Sequence, residues 1–95
     1  MKAELLYRFR EDFHDGAIME VVIWSVPEPV PDSGHPYKYR LFYGTPGQRL
    51  VGYDNERGKG DHRHRNDSEM PYPFTTPEKR IDDFLGDIDK LRSES

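Results

Sequence analysis

YKYRLFYGTPGQRLVGYD, residues 37–54, alternates large apolar and charged side chains on either side of a glycine- and proline-bearing turn. Tyr37, Tyr39, Leu41 and Tyr43 fall on one side of an extended chain, with Lys38, Arg40 and Phe42 on the other. That is the period-two pattern of a strand. Gly44-Thr45-Pro46-Gly47 supplies the reversal, so residues 37–43 and 49–54 read as two antiparallel strands. Upstream, residues 27–36 hold four prolines, which remove backbone donors and restrict their predecessors, so this stretch reads as a loop. Before it, Ala17 to Val26 is almost continuously apolar, interrupted mainly by Glu20, as suits a central strand. Asp15-Gly16 is a hairpin signal. Ahead of it Ala3, Leu5, Tyr7 and Phe9 alternate with Lys2, Glu4, Arg8 and Arg10, broken only by Leu6.

Downstream, Thr76-Pro77 offers an N-cap followed by the first helical position, where proline is tolerated. Ile81, Phe84, Leu85, Ile88 and Leu91 then make one apolar stripe against Asp82, Asp83, Asp87, Asp89 and Lys90, the pattern of a helix lying on a sheet. Gly86 inside it costs about 1 kcal/mol relative to Ala, to be explained by close packing or by a partner. The expected fold is α+β, a four-stranded antiparallel β-meander with one C-terminal helix packed on one face. Residues 1–95 form one domain, with strands within about 2–54, a basic Gly/His loop over 55–70 and a helix over about 77–92. The other sheet face is left with Leu6, Val22, Trp24 and Phe42, which a homodimer or a partner protein can cover.

Composition supports a folded chain. Only 34% of the residues are hydrophobic and the mean hydropathy is −0.97, but six Tyr, five Phe and one Trp each bury a large apolar area. There is no cysteine, so disulfides are excluded and a metal would need imidazole and carboxylate ligands. Glu4 and Arg8 precede any apolar run of signal-peptide length, and no stretch approaches the about 20 apolar residues of a membrane span. A cytoplasmic protein is expected. The formal charge of −4 is unevenly spread, since residues 37–65 carry seven Lys/Arg against three acids. The rest of the chain is correspondingly acidic, so a polyanion meets attraction on one sequence region alone.

Chemistry concentrates in DNERGKGDHRHR, residues 54–65. His62 and His64 are two apart, so an extended backbone puts both rings on one face roughly 6.6 Å apart, a span that brackets a phosphate. One imidazole can then remove the 2′-hydroxyl proton of RNA while the other protonates the departing 5′-oxygen, without a metal or other cofactor. Arg57, Lys59, Arg63 and Arg65 are the candidate phosphate-holding cations, with Arg57 and Lys59 preferred because strand alternation puts Arg63 and Arg65 opposite the histidines. Asp54 can orient a catalytic ring, and Asp54-Asn55 also suits a strand-ending turn. Two other readings remain open. One is a non-catalytic module whose basic 57–65 segment engages an acidic protein or a nucleic-acid backbone. The other is a metal site built from His62, His64 and Asp61 with His14 or His35, although this spacing matches no strong signature. Otherwise His14 and His35 read as turn residues, and Trp24 and Tyr53 as core aromatics or base-stacking platforms.

The ordered set of an Asp-Gly hairpin, a strand with Glu20 and Trp24, Tyr37-x-Tyr39-Arg40, Tyr53-Asp54-Asn55 and His62-x-His64 resembles the TumE-type toxins of prokaryotic toxin-antitoxin pairs. The resemblance runs from Leu5 through the C-terminal helix. It implies a small cytoplasmic toxin neutralised by a neighbouring antitoxin, usually a helix-turn-helix protein, and it points to Asp54, Asn55, His62 and His64.

Overall fold

The computed structural model describes every residue except Met1, Asp32, 56–59, Asp67 and Ser95. Its described residues form six strands and a helix: β1 (Glu4–Asp12), β2 (Ile18–Ser25), β3 (Tyr37–Thr45), β4 (Gln48–Asp54), β5 (His62–Arg65), β6 (Ser68–Pro71) and α1 (Pro77–Glu94). Each strand pairs antiparallel with the next in sequence, so the sheet is a simple meander ordered β1 to β6. The expectation of an α+β meander with a C-terminal helix holds, but the sheet has six strands rather than four. The two additional strands, His62–Arg65 and Ser68–Pro71, fall almost wholly within residues 55–70, expected as loop. Apolar periodicity could not reveal them, because His62 and His64 are the buried positions of β5 and β6 is exposed throughout.

Local rules explain the rest of the meander. Leu6, which breaks the alternation of β1, sits where the β1–β2 register shifts, the mark of a β-bulge. At the first hairpin Gly16 adopts φ +89° and Asp15 Oδ1 accepts from the Ala17 amide at 3.1 Å. Thr76 caps α1, its Oγ1 accepting from the Lys79 amide at 3.0 Å.

The helix packs across β3 and β4. Val21, Ile23, Leu41, Val51, Tyr53, Phe84 and Ile88 form the core between helix and sheet. One expectation about its packing fails: Leu85 is 40% exposed, whereas Arg80 is only 2% exposed. The guanidinium carbon of Arg80 lies 4.9–5.4 Å from the ring centres of Tyr39, Tyr53, Tyr72 and Phe74, and Nη2 donates to the Tyr72 carbonyl at 2.9 Å. Four aromatic faces solvate the cation and rotate the buried stripe of α1 away from Leu85. Among the described residues no helix is long and apolar enough to cross a membrane.

Candidate active site

The face of the sheet turned away from α1 carries the site. Strand register aligns Arg8, Val22, Arg40, Asp54 and His62 in one row. The adjacent row contains Glu20, Phe42, Gly52, His64 and Glu69. Two-residue periodicity therefore delivers His62 and His64 to one face, and their ring centres lie 4.8 Å apart at an interplanar angle of 76°.

Each ring is oriented through Nδ1. His62 Nδ1 donates to the Gly60 carbonyl at 2.9 Å, which turns Nε2 toward Asp54 Oδ1 at 2.6 Å. That approach is an ion-pair contact rather than an aligned hydrogen bond: Nε2 is buried with no hydrogen-bond partner among the described residues. His64 Nδ1 lies 2.8 Å from Arg49 Nη2. A guanidinium only donates, so Nδ1 presents its lone pair and the ring proton sits on Nε2, which lies 4.0 Å from Asp54 Oδ2. Gly52 makes this approach possible, since a Cβ there would stand 2.7 Å from Arg49 Cδ.

Burial, then the charges of Arg49 and His62, hold the His64 pKa below its ordinary value of 6.5, against the opposing pull of Glu69 and Asp54. The side chains of His62 and His64 are 4% and 9% exposed, but on the open face polar side chains surround them. Arg49 and Glu69, whose Oε2 is 3.7 Å from His64 Nδ1, are both exposed.

The family model described as Toxin TumE matches residues 2–92. The chain belongs to the TumE toxin family. Membership supports a toxin role and implies a cognate antitoxin. No curated protein and no solved structure matches the chain.

Within this TumE-family chain the sequence-derived candidates separate clearly. Asp54, His62 and His64 come together. Asn55 is buried beside them, but its amide is occupied: Oδ1 accepts from the Tyr39 amide at 3.1 Å and Nδ2 donates to the Tyr37 carbonyl at 2.6 Å. It ties the end of β4 to β3 rather than facing the open cavity. Arg63 is not with the histidines. It stacks at 5.2 Å on Tyr72 and stands 3.9 Å from Asp87 of α1, on the helix-covered face that Arg65 shares by register with Val51. Arg57 and Lys59 lie outside the described residues.

Asp61 and His35 also have roles that sequence reasoning did not give them. Asp61 accepts from Tyr39 Oη at 2.5 Å and lies 2.9 Å from His35 Nε2, while the His35 ring stacks at 4.0 Å on Phe74. His35 thus pins the proline-rich loop to the residue preceding the histidine pair and is more than a turn residue. Lys38, Arg40 and Arg49, the cations that line the open cavity beside Asp54, were overlooked as site residues. The sequence held a signal for them: Lys38 and Arg40 occupy the alternate positions of β3, and a glycine, Gly52, stands where a side chain would block Arg49.

Asp54, His62 and His64 of this TumE-family protein each offer one ligand atom, all within 4.8 Å of one another. Two imidazoles and a carboxylate suit Zn²⁺, and the Nδ1 bond from His62 to a backbone carbonyl is the kind that orients a metal ligand. The Arg49 guanidinium beside His64 opposes this by placing a fixed positive charge against the same cluster. Asp61 of the expected metal set is replaced in this group by Asp54.

Proposed function

We propose that this toxin cleaves RNA with His62 and His64 as its proton-transfer pair, without a metal. The observation that carries the reading is their convergence, with Asp54, on a sheet face that also bears Lys38, Arg40 and Arg49. His64, held neutral by burial and by Arg49, is the base. A substrate phosphate draws the Arg49 guanidinium away and frees the Nδ1 lone pair to take the 2′-hydroxyl proton. The 2′-oxygen attacks phosphorus, the bond from phosphorus to the 5′-oxygen breaks, and protonated His62 gives its Nε2 proton to that oxygen. The products are a 2′,3′-cyclic phosphate and a 5′-hydroxyl. Asp54, 2.6 Å from Nε2, orients His62, while Arg49 neutralises charge developing on the phosphoryl oxygens. Asn55 acts by positioning, and Arg57 and Lys59 remain candidate phosphate contacts from the adjoining segment. A cytoplasmic setting and a helix-turn-helix antitoxin belong to the same reading. A homodimer is a further way of covering Leu6 and Phe42 on the open face.

The ligand atoms gathered within 4.8 Å favour a second reading, metal-assisted hydrolysis by the same three residues. Expression of wild type, His62→Ala and His64→Ala without antitoxin, with growth and RNA integrity followed in EDTA-treated extracts, separates the alternatives. The acid–base reading expects RNA fragments with cyclic phosphate ends in EDTA and none from either folded variant. Loss of cleavage in EDTA transfers the chemistry to a metal. Growth arrest with intact RNA overturns RNA cleavage and leaves a non-catalytic binding module.

A further inference from the structure

Beside the histidine pair the open face contains a cavity of about 570 Å³. Val22 and Trp24 supply its apolar lining, Lys38, Arg40 and Arg49 its positive charge, and Asp54 joins it to the histidines. The register explains this order. Trp24 stands across from Lys38, and Val22, Arg40, Asp54 and His62 follow one another on successive strands. The row crosses three inter-strand gaps of about 4.8 Å each. Trp24 is among the exposed large apolar side chains, at 37%, so part of its ring is open to a ligand. An aromatic face left open, flanked by cations and leading to a proton-transfer pair, has the combination that binds unpaired nucleotides: stacking for the base and positive charge for the backbone.

We infer that this cavity is the substrate subsite, holding one unstacked base of single-stranded RNA against Trp24 and Val22 while Arg40 and Arg49 hold the phosphate that faces His62 and His64. The inference rests on the RNA-cleavage reading and adds to it the form of the substrate. In an A-form duplex the bases are stacked on one another and offer no free face to Trp24, so the site selects single strands. Tyr53, the other aromatic considered for stacking, is excluded because it is buried against Phe84. Of the described cations, Lys38, Arg40 and Arg49 outnumber Asp54 around the cavity, which suits a polyanion.

The chain contains one tryptophan among six tyrosines, so emission excited beyond the tyrosine absorption band reports on the cavity alone. The probe is a short 2′-O-methyl oligoribonucleotide, which binds but has no 2′-hydroxyl to react, titrated into the full chain and into Arg40→Ala, Arg49→Ala and Trp24→Ala. The last is followed by anisotropy of a labelled probe, and all variants are checked for folding by circular dichroism. Saturable quenching of Trp24 is expected, with binding about 5- to 150-fold weaker in Trp24→Ala. The slope of log affinity against log salt should fall by about 0.7 in Arg40→Ala. An annealed duplex of the same sequence should quench weakly or not at all.

RNA cleavage by wild type together with unquenched Trp24 and unchanged affinity in Trp24→Ala and Arg40→Ala overturns the subsite and leaves the catalytic reading standing. Absence of both RNA binding and RNA cleavage overturns both. Quenching by a poly-glutamate peptide but not by the oligonucleotide reassigns the cavity to an acidic protein partner and also overturns the proposal.

Discussion

The two faces of one sheet treat cationic side chains in opposite ways. On the helix side Arg80 is sealed among four aromatic rings, and Arg63 stacks on Tyr72 beside Asp87. There, positive charge holds α1 to the strands. On the other side Arg49 lies across Gly52 with its guanidinium against His64, and Lys38 and Arg40 are exposed. There, positive charge is available to a ligand. Neighbouring residues in a strand point to opposite faces, so the sequence His62-Arg63-His64-Arg65 contributes alternately to the open face and to the helix-covered side. Net charge over the segment conceals this division of labour.

The strongest disturbance should come from the covered face. Phe84→Ala removes a wholly buried ring and should destabilise the fold by about 3–5 kcal/mol, a large share of the stability of a small domain. Urea or thermal unfolding measures it. A loss under 1 kcal/mol would mean that α1 is not the lid of the core.

Adjacent residues give the sharper contrast. His62→Ala should reduce RNA cleavage by about 10²-fold or more with a smaller change in unfolding midpoint than Phe84→Ala. Arg63→Ala should do the reverse, costing about 1–2 kcal/mol of stability while cleavage per folded molecule stays near wild type. Steady-state cleavage of a labelled RNA, paired with denaturant midpoints, tests both. If Arg63→Ala abolishes activity without unfolding the protein, the assignment of the two faces is wrong.

The division into faces shows why the sequence was legible in some places and not in others. The hairpins, the proline-rich loop and the cap of α1 follow from local rules that need no knowledge of distant residues. Convergence of His62 and His64 was legible for the same reason, since it needs only an extended backbone. Strands β5 and β6 were not, because the buried positions of β5 are histidines and β6 is exposed throughout, so no apolar alternation marks them. Arg80 was no part of the apolar stripe read for the helix; its burial depends on Tyr39, Tyr53, Tyr72 and Phe74, brought together only by the fold. Arg49 depends likewise on the register that sets Gly52 opposite His64.

Acidification should weaken the open face in a defined direction. Since the His64 pKa is lowered from 6.5 by burial and by Arg49, the folded protein binds fewer protons than the unfolded chain as pH falls through that value. The stability contributed by neutral His64 is therefore intact above about pH 6.5 and is lost as pH drops further, through the folded-state pKa. Urea midpoints at about pH 7.5, 6.5 and 5.5 should fall more steeply in wild type than in His64→Asn. Arg49→Gln removes one cause of the lowered pKa and should make the decline shallower. Parallel curves for wild type and His64→Asn would refute the account of His64 as a ring held neutral.

The smallest effect concerns the outer side of α1, where Gly86 sits in mid-helix. A Cβ added there meets no atom of the described residues within 4 Å, so close packing within the chain does not explain the glycine. Gly86→Ala should stabilise the protein by about 0.5–1 kcal/mol, since alanine loses less backbone freedom and favours the helix. Gly86 and the exposed Leu85 border a cavity of about 480 Å³ with Phe13, Met19 and Ile88, a surface where a side chain could obstruct a neighbour. The substitution therefore separates two contributions. Thermal melting of the isolated toxin should rise, and growth rescue by co-expressed antitoxin reports whether the outer helix surface is in contact. Unchanged rescue confines antitoxin docking to other surfaces. Loss of rescue by the more stable variant places the antitoxin against this side of α1 and explains why a helix-weakening residue stands there.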